Sequence, residues 1–394
     1  MNTQRNGQTP SASPSAVDAF VTVEVRAQDD APAARIAARL AGQDLAQVFL
    51  FASPERDLSE LAADLSALMP GLPVTGCSTA GEIGRDGYSN GHVIAVGLPA
   101  GRFATRAVVI ERLSALDPAA ISRKVLAERL ALMGAHPGLG EGFAFLMVDG
   151  LSLREDVLTA AIAPALGGLP LFGGSAGDGD RFDRTRVAID GRVLEDAAIL
   201  TFVATDYRVK VFSFNHFRPT ATRMVVTAAD PERRVVKEIN AEPAGREYAR
   251  IVGQDPGQLD EFIFAAHPVA VRLGDTHHVR AIQRVNRAGE LVFFSAIDEG
   301  MVLSVVEAED MVAHLDGALG GLKSTGPAPA GILACDCMLR RVEAEQTQRG
   351  RDVSEVLARY GVRGFNTYGE QVGPMHLNQT MTGVALFAPD GGGP

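Results

Sequence analysis

Two heptapeptides far apart in the chain share one frame. Gly76-Cys77-Ser78-Thr79-Ala80-Gly81-Glu82 and Gly364-Phe365-Asn366-Thr367-Tyr368-Gly369-Glu370 place Gly, Thr, Gly and Glu at the same four positions. Each is followed, within about fifteen residues, by a closing apolar strand, at residues 92–97 or 383–387. A shorter relative, Gly174-Ser175-Ala176-Gly177-Asp178, lies between them with one residue missing. Glycine-framed turns leaving strands imply duplicated halves whose turns gather at one cleft. Glycine permits close backbone approach there, and free amides at strand ends favour an acidic or polar group. The competing reading is a set of tight turns that serve the fold alone.

Around these turns the hydrophobic pattern alternates. Strand-like runs at residues 20–25, 48–51 and 73–75 are separated by helical spacing over 30–40 and 58–68, an order that predicts parallel pairing. Strands at 103–110, 143–148, 197–203 and 207–214 follow, with helices over 118–133 and 156–166. The pattern pauses at Arg218-Pro219 and a second series begins. The expected fold class is α/β (α+β), with mixed β-sheets flanked by helices in two related domains with internal duplication. A polar, Ser- and Pro-rich stretch at 1–17 reads as a disordered tail, 18–221 as an N-terminal domain and 222–390 as a C-terminal one.

Composition narrows the function classes. With 46% hydrophobic and 22% charged residues, the 394-residue chain is of ordinary globular type. It has no apolar run of the roughly 18 residues that a membrane span needs. A net charge of −11 opposes binding to nucleic acid or to anionic membranes, and Arg233-Arg234 with Lys237 is too small a cluster to reverse that. An odd count of three cysteines and no secretory pattern point to a cytoplasmic protein with free thiols.

Few side chains read as chemistry. Cys77 sits among small residues like a nucleophile, yet no histidine motif accompanies it as a base. Cys335 and Cys337 share one face of an extended segment, but a closed zinc site lacks its other ligands. Arg340-Arg341 suits carboxylates such as haem propionates, or an ordinary ion pair with Glu343 or Glu345. His376 lies in a polar, glycine-hinged stretch and could bind iron, or simply hydrogen-bond its turn. Neither a P-loop nor a dinucleotide-binding glycine motif is present.

The segment from Val74 to Ile83 resembles the first glycine turn of FIST N-terminal domains, and Leu171 to Asp178 their second. Val279–Ile282, Asp298-Glu299-Gly300 and Gly364–Glu370 with His376, Asn378 and Thr380 resemble the FIST C-terminal domain. Such modules are sensors of small ligands, often amino-acid-like, and are not enzymes. The stretches from Cys335 to Arg341 and from Thr367 to Thr380 are similar to the NosP group of FIST proteins. That resemblance implies non-covalent haem b, nitric oxide sensing and regulation of a partner histidine kinase in trans. His376 would then be the haem-iron ligand, with Arg340, Arg341, Tyr368 and Asn378 around the cofactor. Many FIST proteins have a Cys-Asn-Gly-Arg-like stretch where this chain has Asp336-Cys337-Met338-Leu339-Arg340. The alternative within the family is a haem-free sensor of an amino acid or small metabolite. Its ligand would be held by Cys77, Ser78, Thr79, Ser175, Asn366, Thr367 and Glu370. A homodimer is a further expectation; nucleic-acid and membrane partners are not expected.

Overall fold

The computed structural model describes residues 18–389 except 275, 324 and 325, so the expected tail at 1–17 lies outside the described residues. Three units of one design make up its body. In unit one, Leu45–Ala52 pairs parallel with Val74–Ser78 and antiparallel with His92–Pro99, which in turn pairs with the edge strand Val21–Arg26. Unit two repeats this with Glu141–Val148, Leu171–Ser175, Ala197–Thr205 and Phe103–Glu111. Unit three does so with Gly331–Cys337, Val362–Thr367, Met381–Phe387 and Arg208–Phe214. The fold is the expected mixed α/β arrangement, and the repeat visible in two heptapeptides occurs three times.

Between its third and fourth strands each unit sends out a short hairpin, and that hairpin completes a neighbour's sheet. Glu82–Gly84 of unit one pairs with Val362–Thr367 of unit three. Val187–Ile189 of unit two pairs with Val74–Ser78 of unit one, and Glu370–Val372 of unit three with Leu171–Ser175 of unit two. The exchange closes a ring of three six-stranded sheets.

The strands are nearly continuous apolar runs because both faces of each sheet are covered. Inner faces meet in one core that includes Phe49, Phe51, Phe145, Phe172, Phe365 and Leu333. Phe51 stacks on Phe365 at 4.7 Å, joining units one and three, and Phe49 meets Phe145 edge to face at 5.0 Å, joining units one and two across that core. Outer faces carry amphipathic helices. In Pro32–Leu40, Ala33, Ile36 and Leu40 lie on one buried stripe, as i, i+3, i+4 spacing requires. Asp57 and Asp117 cap the helices Leu58–Leu68 and Pro118–Ala135 through their first free amides.

Residues 217–308 form an insertion between the first strand and the first helix of unit three. Its antiparallel sheet runs through Phe217–Asp230, Val302–Ala308 and Val235–Ile239 and has its own core around Tyr248, Phe264 and Phe293. The expected boundary at 221/222 falls inside Phe217–Asp230. No helix among the described residues is long and apolar enough to cross a membrane.

The first glycine of each turn has a packing cause. A Cβ on Gly76 would stand 2.3 Å from the Leu50 carbonyl oxygen, one on Gly173 2.3 Å from that of Leu146, and one on Gly364 1.8 Å from that of Ala334. Backbone cannot give way there as a side-chain tip can. Gly173→Ala should cost about 1–3 kcal/mol and lower the urea midpoint. Gly101→Ala, with nothing within 4 Å of the added carbon, should leave it unchanged.

Candidate functional site

The three turns that follow the third strands meet at the centre of the ring, joined in pairs by backbone hydrogen bonds. Ala80 N donates to Asn366 O at 2.9 Å and Asn366 N to Gly81 O at 2.7 Å. Ser175 N donates to Gly369 O at 2.8 Å and Tyr368 N to Ser175 O at 3.3 Å. Gly177 N donates to Ser78 O at 3.0 Å and Gly179 N to Thr79 O at 3.1 Å. Each turn thus bonds to both others.

Every turn ends in a buried acid. Thr79 Oγ1 donates to Glu82 Oε1 at 2.5 Å, and Thr367 Oγ1 donates to Glu370. Glu82 Oε2 accepts from His92 N at 3.1 Å, and Glu370 Oε2 from Thr380 N at 3.2 Å and Thr380 Oγ1 at 2.7 Å. Burial raises both acids, Glu82 to about 7 and Glu370 to about 8. Asp178 behaves differently. Burial would raise it too, but the Tyr368 hydroxyl and the amides of Arg184, Asp183 and Phe182 outweigh that and hold it below its ordinary value.

Three clefts open around this hub. The first, of about 580 Å³, lies where units one and three meet, with Asp180 of unit two and Phe262 of the insertion beside Glu55, Glu82 and Arg341 on its walls. A second, of about 620 Å³, lies between unit two and the insertion, with Phe182, Arg234, Arg284 and Tyr368 on its walls. A smaller one of about 340 Å³, at Ser78, Asp178 and Arg186, separates units one and two.

The FIST N domain matches residues 46–242 of this chain and the FIST C domain matches residues 244–373. The chain belongs to the FIST family. The two matched segments meet within the insertion, so FIST C spans most of the insertion and the first three sheet strands of unit three that follow it. No curated protein matches the sequence. Among solved structures, a crystal structure of chorismatase is similar at 9% identity, covering 94% of this chain and 99% of that one with a TM-score of 0.35. A likeness that remote carries no argument about activity.

In this FIST protein the hub absorbs most of the side chains expected to hold a ligand. Thr79, Ser175, Asn366, Thr367 and Glu370 are buried and line none of the three clefts. Ser175 Oγ accepts from Gln371 Nε2 at 3.1 Å, and Asn366 Oδ1 from Arg341 Nη1 at 3.1 Å. Ser78 reaches the smallest cleft, where its Oγ accepts from Arg186 N at 3.0 Å. Cys77 is fully buried in the central core, and burial pushes its thiol well above the ordinary range, the reverse of what a nucleophile needs. Cys335 and Cys337 are likewise buried and free. No group of three His, Cys, Asp or Glu suited to a metal ion occurs among the described residues.

The expected haem residues do not come together. Arg340 is fully buried: its Nε donates to Asp336 at 2.8 Å and its Nη1 to His216 Nδ1 at 2.8 Å. With Nδ1 accepting, His216 donates from Nε2 to Glu343 at 2.8 Å. Arg341, one residue on, points into the first cleft, and Tyr368 lines the second. Asn378 Oδ1 accepts from Ala281 N at 3.4 Å, inside the protein. His376 lines none of the clefts. Its Nδ1 lies 3.1 Å from Gln371 Nε2, an amide nitrogen that also stands 3.1 Å from Ser175 Oγ and 3.3 Å from Gly369 O. His376 is buried, and its Nε2 opens onto none of the three clefts, so no space for a haem lies beside it. It faces Gly369, where an added Cβ would stand 2.9 Å from that nitrogen. The residues present do not fit a haem iron at His376. His216 escaped sequence reading because its partners, Arg340 and Glu343, are distant in the chain.

Glu82 and Glu370 hold protons in the folded state that the unfolded chain gives up near pH 4.5. Their contribution is therefore present at low pH and is lost as pH rises from 4.5 through about 7 and 8. Glu370→Gln should flatten the decline in unfolding free energy between pH 5 and 8, by up to about 1.4 kcal/mol per pH unit. An unaltered slope would show that Glu370 is ionised throughout.

Proposed function

We propose that this FIST protein is a sensor whose first cleft binds a small zwitterionic metabolite, an amino acid or close relative. Arg341 is the observation that carries this reading. Its Nε is held by Glu345 at 3.0 Å and its Nη1 by Ser89 O at 3.0 Å and Asn366 at 3.1 Å. The guanidinium lies 5.1 Å from the Tyr88 ring centroid. Nη2 has no hydrogen-bond partner among the described residues, so an oriented donor faces the cleft. A ligand carboxylate matches it. Glu55 and Asp180, on the same cleft and free of ion pairs among the described residues, suit the ligand's ammonium group. Burial raises Glu82 to about 7, so near neutral pH it repels a ligand carboxylate less than an ordinary glutamate would.

Binding rather than catalysis suits the site, because Cys77 is withdrawn from every cleft. Occupancy would be passed in trans to a signalling partner, a histidine kinase on the expectation drawn from the resemblance. The partner must meet two protein states that the ligand binds unequally, since equal affinity shifts nothing.

A thermal-shift screen of amino acids and their analogues tests the reading. A true ligand at a hundred times its dissociation constant adds about 2.7 kcal/mol of stability. Arg341→Lys keeps the charge, loses the fork, and should weaken that ligand about tenfold. Asp180→Asn should weaken it without touching the hub. A screen with no hit, or a ligand indifferent to both variants, would sink the proposal.

Haemin provides a separate check. On the geometry of His376, the protein should give no saturable one-to-one Soret band. A band that shifts with nitric oxide and disappears in His376→Ala would restore the haem-based sensor.

A further inference from the structure

The second cleft differs in chemistry from the other two. One wall comes from the insertion, where Arg233 and Arg234 follow the long strand and Arg284 and Arg287 lie in and just after Ile282–Val285. The other wall comes from unit two and the hub. Arg234 is buried and spent: its Nη2 donates to Glu155 at 2.7 Å and to Asp156 at 3.2 Å, which ties the insertion to unit two. Arg233, Arg284 and Arg287 are exposed, and their side chains have no hydrogen-bond or ion-pair partner among the described residues. Three exposed guanidiniums with no pairing carboxylate among the described residues, around one cavity in a chain of net charge −11, give that cavity a local positive field that favours an anion.

The smallest cleft shows what a satisfied arginine cluster looks like. There Arg184 pairs with Glu195, Arg186 with Asp57 at 3.4 Å, and Arg56 with Glu60 at 3.6 Å. The second cleft also has an aromatic side that the smallest lacks. Phe182 stacks on Tyr368 at 4.4 Å, and Phe294 lies 5.7 Å from Phe182.

We propose that this cleft binds a nucleoside polyphosphate. Its base would lie against the Phe182, Tyr368 and Phe294 group, and its phosphates would be held by Arg233, Arg284 and Arg287. Guanidinium forks match phosphate oxygens two at a time, and three separate forks call for more than one negative charge. Aromatic rings supply a flat apolar face for a base. A cavity of about 620 Å³ lies within the range that takes a ligand of this size. The site is distinct from the zwitterion cleft and stands without it.

Calorimetric titration of the full chain at low salt with ATP and GTP tests the assignment. Adenosine supplies the ring without charge, tripolyphosphate the charge without ring, and terephthalate a ring with carboxylates. At least one nucleotide should bind, with adenosine, tripolyphosphate and terephthalate each at least tenfold weaker. The double variant Arg284→Ala, Arg287→Ala should lose at least tenfold in nucleotide affinity. Arg351→Ala, which removes a surface arginine paired with Glu355, should bind as the unaltered protein does. Phe182→Leu should weaken the nucleotide and leave tripolyphosphate unchanged. Failure of both nucleotides to bind would overturn the proposal, as would equal affinity for tripolyphosphate, tighter binding of terephthalate, or indifference of the double variant.

Discussion

Six backbone hydrogen bonds between three turns hold this protein's centre, two for each pair of turns. Their strength comes from location. Buried amides and carbonyls must be paired, and in a dry site an unmade bond costs more than a made one contributes. No turn can satisfy its own groups, because their partners belong to the other two units. The side chains follow suit, with threonine hydroxyls closing on the terminal acids and Tyr368 reaching across to Asp178. Polar groups of the turns are used up in holding the ring closed, so few of them remain to face the clefts.

The hairpin exchange has the same consequence at the level of whole units. Each sheet ends on a strand borrowed from a neighbour, so an isolated unit would expose an apolar edge ready to pair with another chain. Closing the ring removes that hazard. It also explains where an insertion is tolerated. Arg208–Phe214 and Met381–Phe387 pair along their full length whether or not residues 217–308 intervene, since the cost of a longer connection grows only slowly with its length. The insertion then stands beside unit two, tied there by Arg234, and creates a cleft that the bare ring would not have.

The glycine frame was legible in the sequence because its cause is local. A strand glycine facing a neighbouring carbonyl permits no side chain, so the residue type itself marks the position. Two copies were plain at Gly76 and Gly364. The third, beginning at Gly173, was obscured by one missing residue and by Gly174, whose place holds a side chain in the other copies. There, Thr367 and Cys335 fill the space instead. Threefold organisation was hidden for another reason. The insertion separates the first strand of unit three from the rest of it, so the remainder reads as a second domain. The chemistry was less legible still. Arg340 and Arg341 are neighbours in sequence, yet helical geometry sends one into a buried ionic network with Asp336 and His216 and the other into a cleft. His376 has the residue type of a metal ligand, but the folded hairpin buries it beside Gln371 and Gly369, away from the three clefts.

Near-equivalent turns have been put to unequal use. Where turn one carries Ala80, turn three carries Tyr368, and that single larger side chain reaches two sites at once. Its ring lines the basic cleft, stacked on Phe182. Its hydroxyl accepts from Asp178 N at 3.1 Å and donates to the Asp178 carboxylate, with Gly179 O 3.0 Å away, and Gly179 lines the cleft of Arg341. A ligand that moved the ring would have to break charge-assisted hydrogen bonds in a buried hub, which sets a high threshold. A ligand that merely covers the ring would instead stabilise the arrangement already present. Tyr368 is therefore a fixed wall between the two clefts, held on one side by Phe182 and on the other by Asp178 and Gly179.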